Sequence, residues 1–359
     1  MAYTDIDKPS DYFDTKLYTA TASDLSITGL DFAPNWIWIK SRNLTGDHSI
    51  FDSVRGTGKQ LQSNTTGAEF TTADALSAFN SDGFSITGTG NNYTNRDGRT
   101  YASWNWKAGT SFTNDASATG IGSIDSTGSV NTDAGFSIIS YTGIGGVGTV
   151  AHGLGVTPSM VIIKSRTDVN SEAQHWIVYH KSLGNTNYIW LSRDIATGAS
   201  ALAWNDTSPT SSVISLGNGF TPNNYSSINY IAYCFAEKKG YSKFSSYVGN
   251  GNADGTFIYT GFKPAFVMIK ATDAVKSWMI LDNKRNPAGL SDANTIRYRL
   301  SPNTNATTSD NGDGHDFYSN GFKHFGTDTS TNQNGTNYIY MAFAENPFVT
   351  STGVPATAR

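Results

Sequence analysis

The sequence predicts an all-β protein of three tandem antiparallel β-sandwich domains, jelly-roll-like and built from internal repeats. Three observations predict it. Four sequence blocks recur in the same order three times. The blocks alternate with the two-residue period of a strand. Gly, Ser, Thr and Asn fill the stretches between them, with no long 3.6-residue periodicity.

The first block reads PNWIWIK (34–40), PSMVIIK (158–164) and PAFVMIK (264–270). It is apolar on both faces, as a strand covered on both sides should be. The second reads HSIFDSVRG (48–56), WIVYHKSLG (176–184) and WMILDNKRN (278–286). The third is SDGF (81–84), GNGF (217–220) and SNGF (319–322). The fourth is YASWNWKAG (101–109), YIAYCFAEK (230–238) and YIYMAFAEN (338–346). One face of the fourth block carries Ala102, Trp104 and Trp106, then Ile231, Tyr233 and Phe235, then Ile339, Met341 and Phe343. That is a core face in every copy. The opposite face has Asn105, Cys234 and Ala342 at one aligned position, so Cys234 reads as a small packing residue. Only AEFTTADALSAF (68–79) suggests a helix, and a short one.

These blocks set the boundaries. An N-terminal arm (1–16) precedes repeat 1 (17–109); a Ser/Thr/Gly-rich linker (110–135) leads to repeat 2 (136–240). Repeat 3 (241–349) follows at EKKGYSKF without a linker, so these two copies should be rigidly joined, and a tail (350–359) ends the chain. The arm carries Tyr3, Ile6, Tyr12 and Phe13 as apolar anchors beside Pro9. It is too short for a core of its own. It is expected to dock on a partner by burying those four side chains; the alternative is a strap over the chain's own first sandwich.

Composition excludes several functions. A net charge of −4 and a charged fraction of 15% leave no basic footprint for nucleic acid. No apolar run is long enough to insert in a membrane. The opening MAYTDIDKPSDYFDTK is acidic and lacks an apolar segment, so no secretory signal is expected. A single cysteine rules out an intrachain disulfide and a Cys-based zinc site.

The motifs that suggest chemistry each have a structural reading. FSIISYTGIGGVGTV (136–150) spells G-x-G-x-x-G with Gly143, Gly145 and Gly148. In copy 3 these align with Gly249, Gly251 and Asp254, and β-branched residues follow where a phosphate-binding loop would open a helix. It reads as a hairpin turn. His175 and His180, five apart on an expected strand, point to opposite faces and read as surface or edge histidines. SDNGDGHDFYSN (309–320) has Asn311, Asp313 and Gly314 in plausible calcium-loop places, but Ser309 and Asn320 stand at the first and last ligand positions, so a polar turn is expected. Asp52 with Arg55 and Asp282 with Arg285 repeat as D-x-x-R, replaced by His180 and Leu183 in copy 2. These read as local ion pairs of little weight. Glu237 and Glu345 belong to separate copies and so make no catalytic pair. The expectation is a protein that is not an enzyme, with no catalytic residue, cofactor or metal. Exposed aromatics keep a glycan-binding reading open.

The runs MAYTDIDKPSDYF, PNWIWIKSRNLTGDHSIFDSVRG with NSDGF and YASWNWKAG, and HGLGVTPSMVIIKSR resemble marine, cyanophage-type bacteriophage virion and tail proteins built from a repeated β domain of unknown function. The full FDSVRG and WNWKAG wording stands only in copy 1. The resemblance implies a virion structural protein assembled in the host bacterial cytoplasm, as a tail fibre or tail-attached protein. A capsid decoration protein and a carbohydrate-binding module are the alternatives. Its implied partners are other virion proteins, further copies of itself, and a host surface glycan or receptor. The resemblance supplies no catalytic residues.

Overall fold

Four core strands recur in each copy of the computed structural model, which describes residues 3–72, 75–88, 93–169, 173–286 and 295–356 apart from the side chains at 311 and 313. Copy 1 contributes β1 (Phe13–Thr19), β2 (Trp36–Ser41), β3 (Ser49–Asp52) and β4 (Thr100–Trp106). Copy 2 contributes β5 (Phe136–Thr142), β6 (Met160–Ser165), β7 (Ile177–His180) and β8 (Asn229–Phe235). Copy 3 contributes β9 (Ser242–Val248), β10 (Phe262–Ala271), β11 (Met279–Asp282) and β12 (Asn337–Pro347). Remaining strands are given by residue range. The order is the same each time: first, fourth, second, third, all antiparallel. Register repeats as well, since Trp36 pairs with Trp106, Met160 with Phe235 and Phe266 with Phe343.

One face of each core sheet packs on a second layer of its own copy. In copy 1 that layer is Leu25–Ile27, Gly83–Ile86 and Leu76–Asn80; in copy 2 it is Gly148–Ala151 paired with Val213–Leu216. In copy 3 Asp254–Tyr259, Gly321–Phe325 and Ser309–Tyr318 stay bonded to the core strands through Thr295–Leu300, and the sheet curls toward a barrel. Ile37 and Ile39, Val161 and Ile163, and Val267 and Ile269 fill these separate cores.

The other face explains the double-sided apolarity of the first block. Trp36 and Trp38, Met160 and Ile162, and Phe266 and Met268 all point into one further cluster common to the three copies. Trp106, Phe235 and Phe343 join it from the fourth block, each at most 2% exposed. Ring centroids lie 5.6 Å apart for Trp106 and Phe343, 6.0 Å for Phe235 and Phe343, and 5.7 Å for Trp36 and Phe235. The three sheets thus enclose a central prism of aromatic and aliphatic side chains.

Main-chain bonds close the prism into a ring. Glu69 N–H of copy 1 donates to Arg166 O of copy 2 at 3.0 Å, and Thr197 N–H of copy 2 to Thr272 O of copy 3 at 2.8 Å. Thr308 N–H of copy 3 returns to Arg42 O of copy 1 at 2.9 Å. Arg42, Arg166 and Thr272 occupy one aligned position, two after the first-block lysine. The same head-to-tail contact is therefore made three times and closes, the geometry of a cyclic trimer within one chain.

Two expected elements differ. Residues 68–79 form no helix among the described residues: Phe70–Thr71 and Leu76–Asn80 are strands. Asn80 pairs with Gly83 across Ser81-Asp82, and this tight hairpin overrides the helical leaning of Ala and Leu. Residues 110–135, expected as a linker, form strands Thr110–Asn114 and Ser126–Asn131 around a short helix, Ala116–Thr119, capped by the Asp115 carboxylate. The hairpin extends the copy 2 sheet beyond β5. Its polar composition suits an edge strand facing water.

Trp106→Ala should destabilise the whole chain by about 3–5 kcal/mol, because the cavity opens where all three copies meet. Denaturant unfolding followed by far-UV circular dichroism measures it, and a loss below about 1 kcal/mol would contradict the shared core.

Candidate functional site

The polar groups that cross the copy boundaries include several of the residues that the sequence marks out. Asp52 and Arg55 are fully buried and paired at 2.5 Å. They are not an exposed turn pair, which corrects the expectation of little weight. Asp52 Oδ1 accepts the N–H groups of Val54 and Arg55, and Oδ2 accepts the Tyr233 hydroxyl of copy 2 at 2.7 Å. Arg55 also reaches Glu69 at 3.2 Å, and Glu69 bridges to Arg166 of copy 2 at 3.0 Å. Asp282 and Arg285 repeat this arrangement, with Trp104 Nε1 of copy 1 donating to Asp282 Oδ2 at 3.0 Å.

Copy 2 makes the same contact with a histidine. His180 is fully buried in the described structure, not at a surface or edge. Its Nδ1 accepts Ser182 N–H, as Asp52 Oδ1 accepts Val54 N–H, so Nε2 carries the proton and donates to Tyr340 O of copy 3 at 3.2 Å. The aligned partner in copy 3 is Met341, which has no donor, and a neutral imidazole replaces the carboxylate. His175 lies before β7, half-buried, with Nδ1 3.0 Å from Ser192 Oγ. The two histidines do not converge.

A second ring of contacts runs through the first residue of the second block. Trp176 Nε1 donates to Gln62 O at 2.9 Å, and Trp278 Nε1 to Trp190 O at 2.8 Å. In copy 1 His48 takes this place: its Nδ1 accepts from Trp38 Nε1, so its Nε2–H donates to Ser301 O at 3.1 Å. Lys40, Lys164 and Lys270, the ends of the first block, are buried too. Lys164 Nζ bonds Thr66 O and Gln174 O, and Lys270 Nζ bonds Asp194 O. Burial lowers these ammonium groups to about 8, about 7 and about 8.

One repeated constellation was missed. Asn95, Asn224 and Asn332, each six residues before Tyr101, Tyr230 and Tyr338, are buried. Asn224 Nδ2 bonds Gly146 O and Gly217 O, and Asn332 Nδ2 bonds Asn252 O and Gly326 O. Tyr18, Tyr141 and Tyr247 stack on the three partner tyrosines at 5.1, 5.3 and 5.0 Å. The N-x5-Y spacing, present three times, is the signal that identifies it. Gly143 and Gly145 belong to this latch, where Gly145 has φ +72° and its N–H donates to Asn224 O at 3.2 Å. At Gly148 the chain re-enters a strand, but Gly148–Ala151 pairs with Val213–Leu216 in the second layer and not with β5, so the loop crosses between layers and is not the hairpin turn expected.

The arm lies on its own chain. Ile6 and Phe13 are 5% and 2% exposed and belong to the central cluster, with Phe13 against Trp106 at 4.8 Å and Phe343 at 5.3 Å. Neither can anchor a partner, which corrects the expectation for both, and Phe13 opens β1. Tyr12 is half-buried against Tyr241 at 6.0 Å. Tyr3 alone is exposed, at 62%. Asp5 N–H donates to Lys239 O at 3.0 Å, while Asp7 accepts Ser351 N–H at 2.6 Å. The arm therefore straps the junction of copies 2 and 3 and holds the chain's last described segment.

Residues 309–320 form strand Ser309–Tyr318, not a turn. Cys234 packs in the copy 2 core, as expected of a small residue there. Glu237 and Glu345 are held by Lys181 and Lys243 and by Lys263. Among the described residues no group of three His, Cys, Asp or Glu could hold a metal ion, and no helix is long and apolar enough to cross a membrane.

Residues 8–347 match a family described as a domain of unknown function, DUF7483, and the chain belongs to that family. The match runs through all three copies. No curated protein matches the chain.

Two outcomes follow. Burial lowers His180 to about 4, whereas an unfolded histidine titrates near about 6.5. Above that pH both states are neutral and His180 adds no pH dependence. As pH falls from about 6.5 to about 4 the unfolded chain takes up a proton that the folded chain refuses, so stability drops, by up to about 3 kcal/mol from this group. His180→Asn should reduce the slope of stability against pH in that window by about one proton, as urea midpoints at stepped pH would show. Separately, Ile6→Ala should cost about 2–4 kcal/mol in the isolated chain, measured by chemical unfolding; no loss would return the arm to a partner-docking role.

Proposed function

We propose that the chain is a structural protein of a bacteriophage particle, a rigid module on the tail surface that acts in assembly and contact rather than in catalysis. The observation that carries this reading is the closed ring. Three copies joined by a common core and by buried bonds between copies are held against movement of one on another, which suits a load-carrying part. The resemblance of the copy 1 wording to phage virion and tail proteins supports the same reading. Its partners on this view are other virion proteins and further copies of the chain, and its place is the virion, after synthesis in the host cytoplasm.

The pseudo-threefold axis favours one second reading. A chain with this axis matches a threefold position on a capsid as well as one on a tail, because symmetric sites select self-complementary rotations. A capsid decoration protein is the alternative.

Purified particles separated into tail and capsid fractions distinguish the two. Mass spectrometry should find the chain at structural stoichiometry in the tail fraction. Recovery only with capsids would favour decoration, and absence from both fractions would overturn the virion role.

A further inference from the structure

One cleft is built jointly by the arm, the junction of copies 2 and 3, and the last described segment. It has a volume of about 480 Å³, within the range of small-ligand sites. Tyr3, Tyr259 and Phe348 line it and are 62%, 61% and 38% exposed. These are large aromatic surfaces left in water at one place. Each tyrosine is backed by glycine: the Tyr3 ring lies beside Gly353, and the Tyr259 ring beside Gly261. A Cβ at Gly353 would come within 3.3 Å of the Tyr3 ring, so that glycine leaves the ring its place, while the Tyr259 ring lies at ordinary contact distance from Gly261.

Fixed charges share the cleft. Glu237 accepts from Lys181 at 2.6 Å and from Lys243 at 2.7 Å, and Lys243 is itself 32% exposed. Asp5 is held by Lys239 N–H at 3.1 Å, and the Ser242 and Thr260 residues complete the wall. Asp5 and Glu237 with Lys239 and Lys243 line the cleft, so it offers acceptors and donors with no excess of either sign, side by side at the Glu237–Lys243 pair.

We propose that this cleft binds a carbohydrate chain of neutral hexopyranose units. A pyranose ring presents an apolar C–H face and an edge of neighbouring hydroxyls. The face suits an exposed aromatic ring. Each hydroxyl edge both donates and accepts, and so suits a carboxylate beside an ammonium group. Beside these side chains the lining includes the glycines Gly240 and Gly261. The arm is part of the site: Thr4 and Asp5 tie it to Lys239 O and place Tyr3. Among the described residues the arm and the terminal segment meet at this one of the three junctions, which makes the site single there.

The test uses the full chain with maltohexaose, cellohexaose and a rhamnose-containing O-antigen oligosaccharide as probes, followed by amide chemical shifts and tyrosine fluorescence. At least one probe should bind saturably and shift the amides of Gly261 and Val349. Tyr259→Ala should weaken that binding by about tenfold, and Tyr259→Phe should retain most of it. Tyr259 is exposed, so an unchanged thermal midpoint in both variants shows that the fold is intact. Absence of shifts with every probe at millimolar concentration would overturn the proposal. So would binding indifferent to Tyr259→Ala, or concentration-dependent sedimentation that Tyr259→Ala removes, which would make the cleft a contact between copies of this chain. None of these results depends on where the chain sits in a particle.

Discussion

The fold depends on burying an apolar face that a single copy has no means to cover. Each core sheet uses one face to pack on its own second layer. The other presents Trp36, Trp38, Trp104 and Trp106 in copy 1 and their aligned residues in copies 2 and 3. A patch of that kind left in water drives association. Three such faces turned toward one axis remove each other from solvent, and the covalent chain supplies all three. Copy number, ring closure and the path of the arm follow from this constraint. The arm's Ile6 and Phe13 complete the same cluster at one end.

Apolar burial does not by itself set which copy neighbours which, and the buried polar groups do that. Asp52 meets Tyr233, His180 meets Tyr340 and Asp282 meets Trp104, always from one copy to the next in the same sense. A buried carboxylate with its arginine adds little net stability, but removing one member leaves an uncompensated charge. Wrong register or wrong order therefore costs far more than correct order gains. The copies have diverged at this position while keeping the contact: a tyrosine hydroxyl, an indole N–H and a main-chain carbonyl serve in turn.

Much of the fold was legible because strand periodicity and repetition are local signals. The first block's two apolar faces announced a strand covered on both sides, and Cys234 at the Ala342 position announced a small core residue. What covers the second face was not legible, since a pattern of burial carries no address. For that reason Asp52, Arg55, Asp282 and Arg285 read as exposed turn pairs and His180 as an edge histidine, although all are buried between copies. Residues 110–135 were misread on composition, because an edge hairpin in water uses the same Ser, Thr and Gly as a linker. The Asn95, Asn224 and Asn332 latch was readable from its spacing to the following tyrosine. Tyr3, Tyr259 and Phe348 come together only through the folded path of both chain ends, and no spacing could have shown it.

The central claim is that three copies form one cooperative unit around one core. Differential scanning calorimetry tests it most directly. The account predicts a single transition whose calorimetric and van't Hoff enthalpies agree within error, as for a two-state domain. Two or three resolved transitions, or a calorimetric enthalpy about three times the van't Hoff value, would mean that the copies unfold independently and would contradict it.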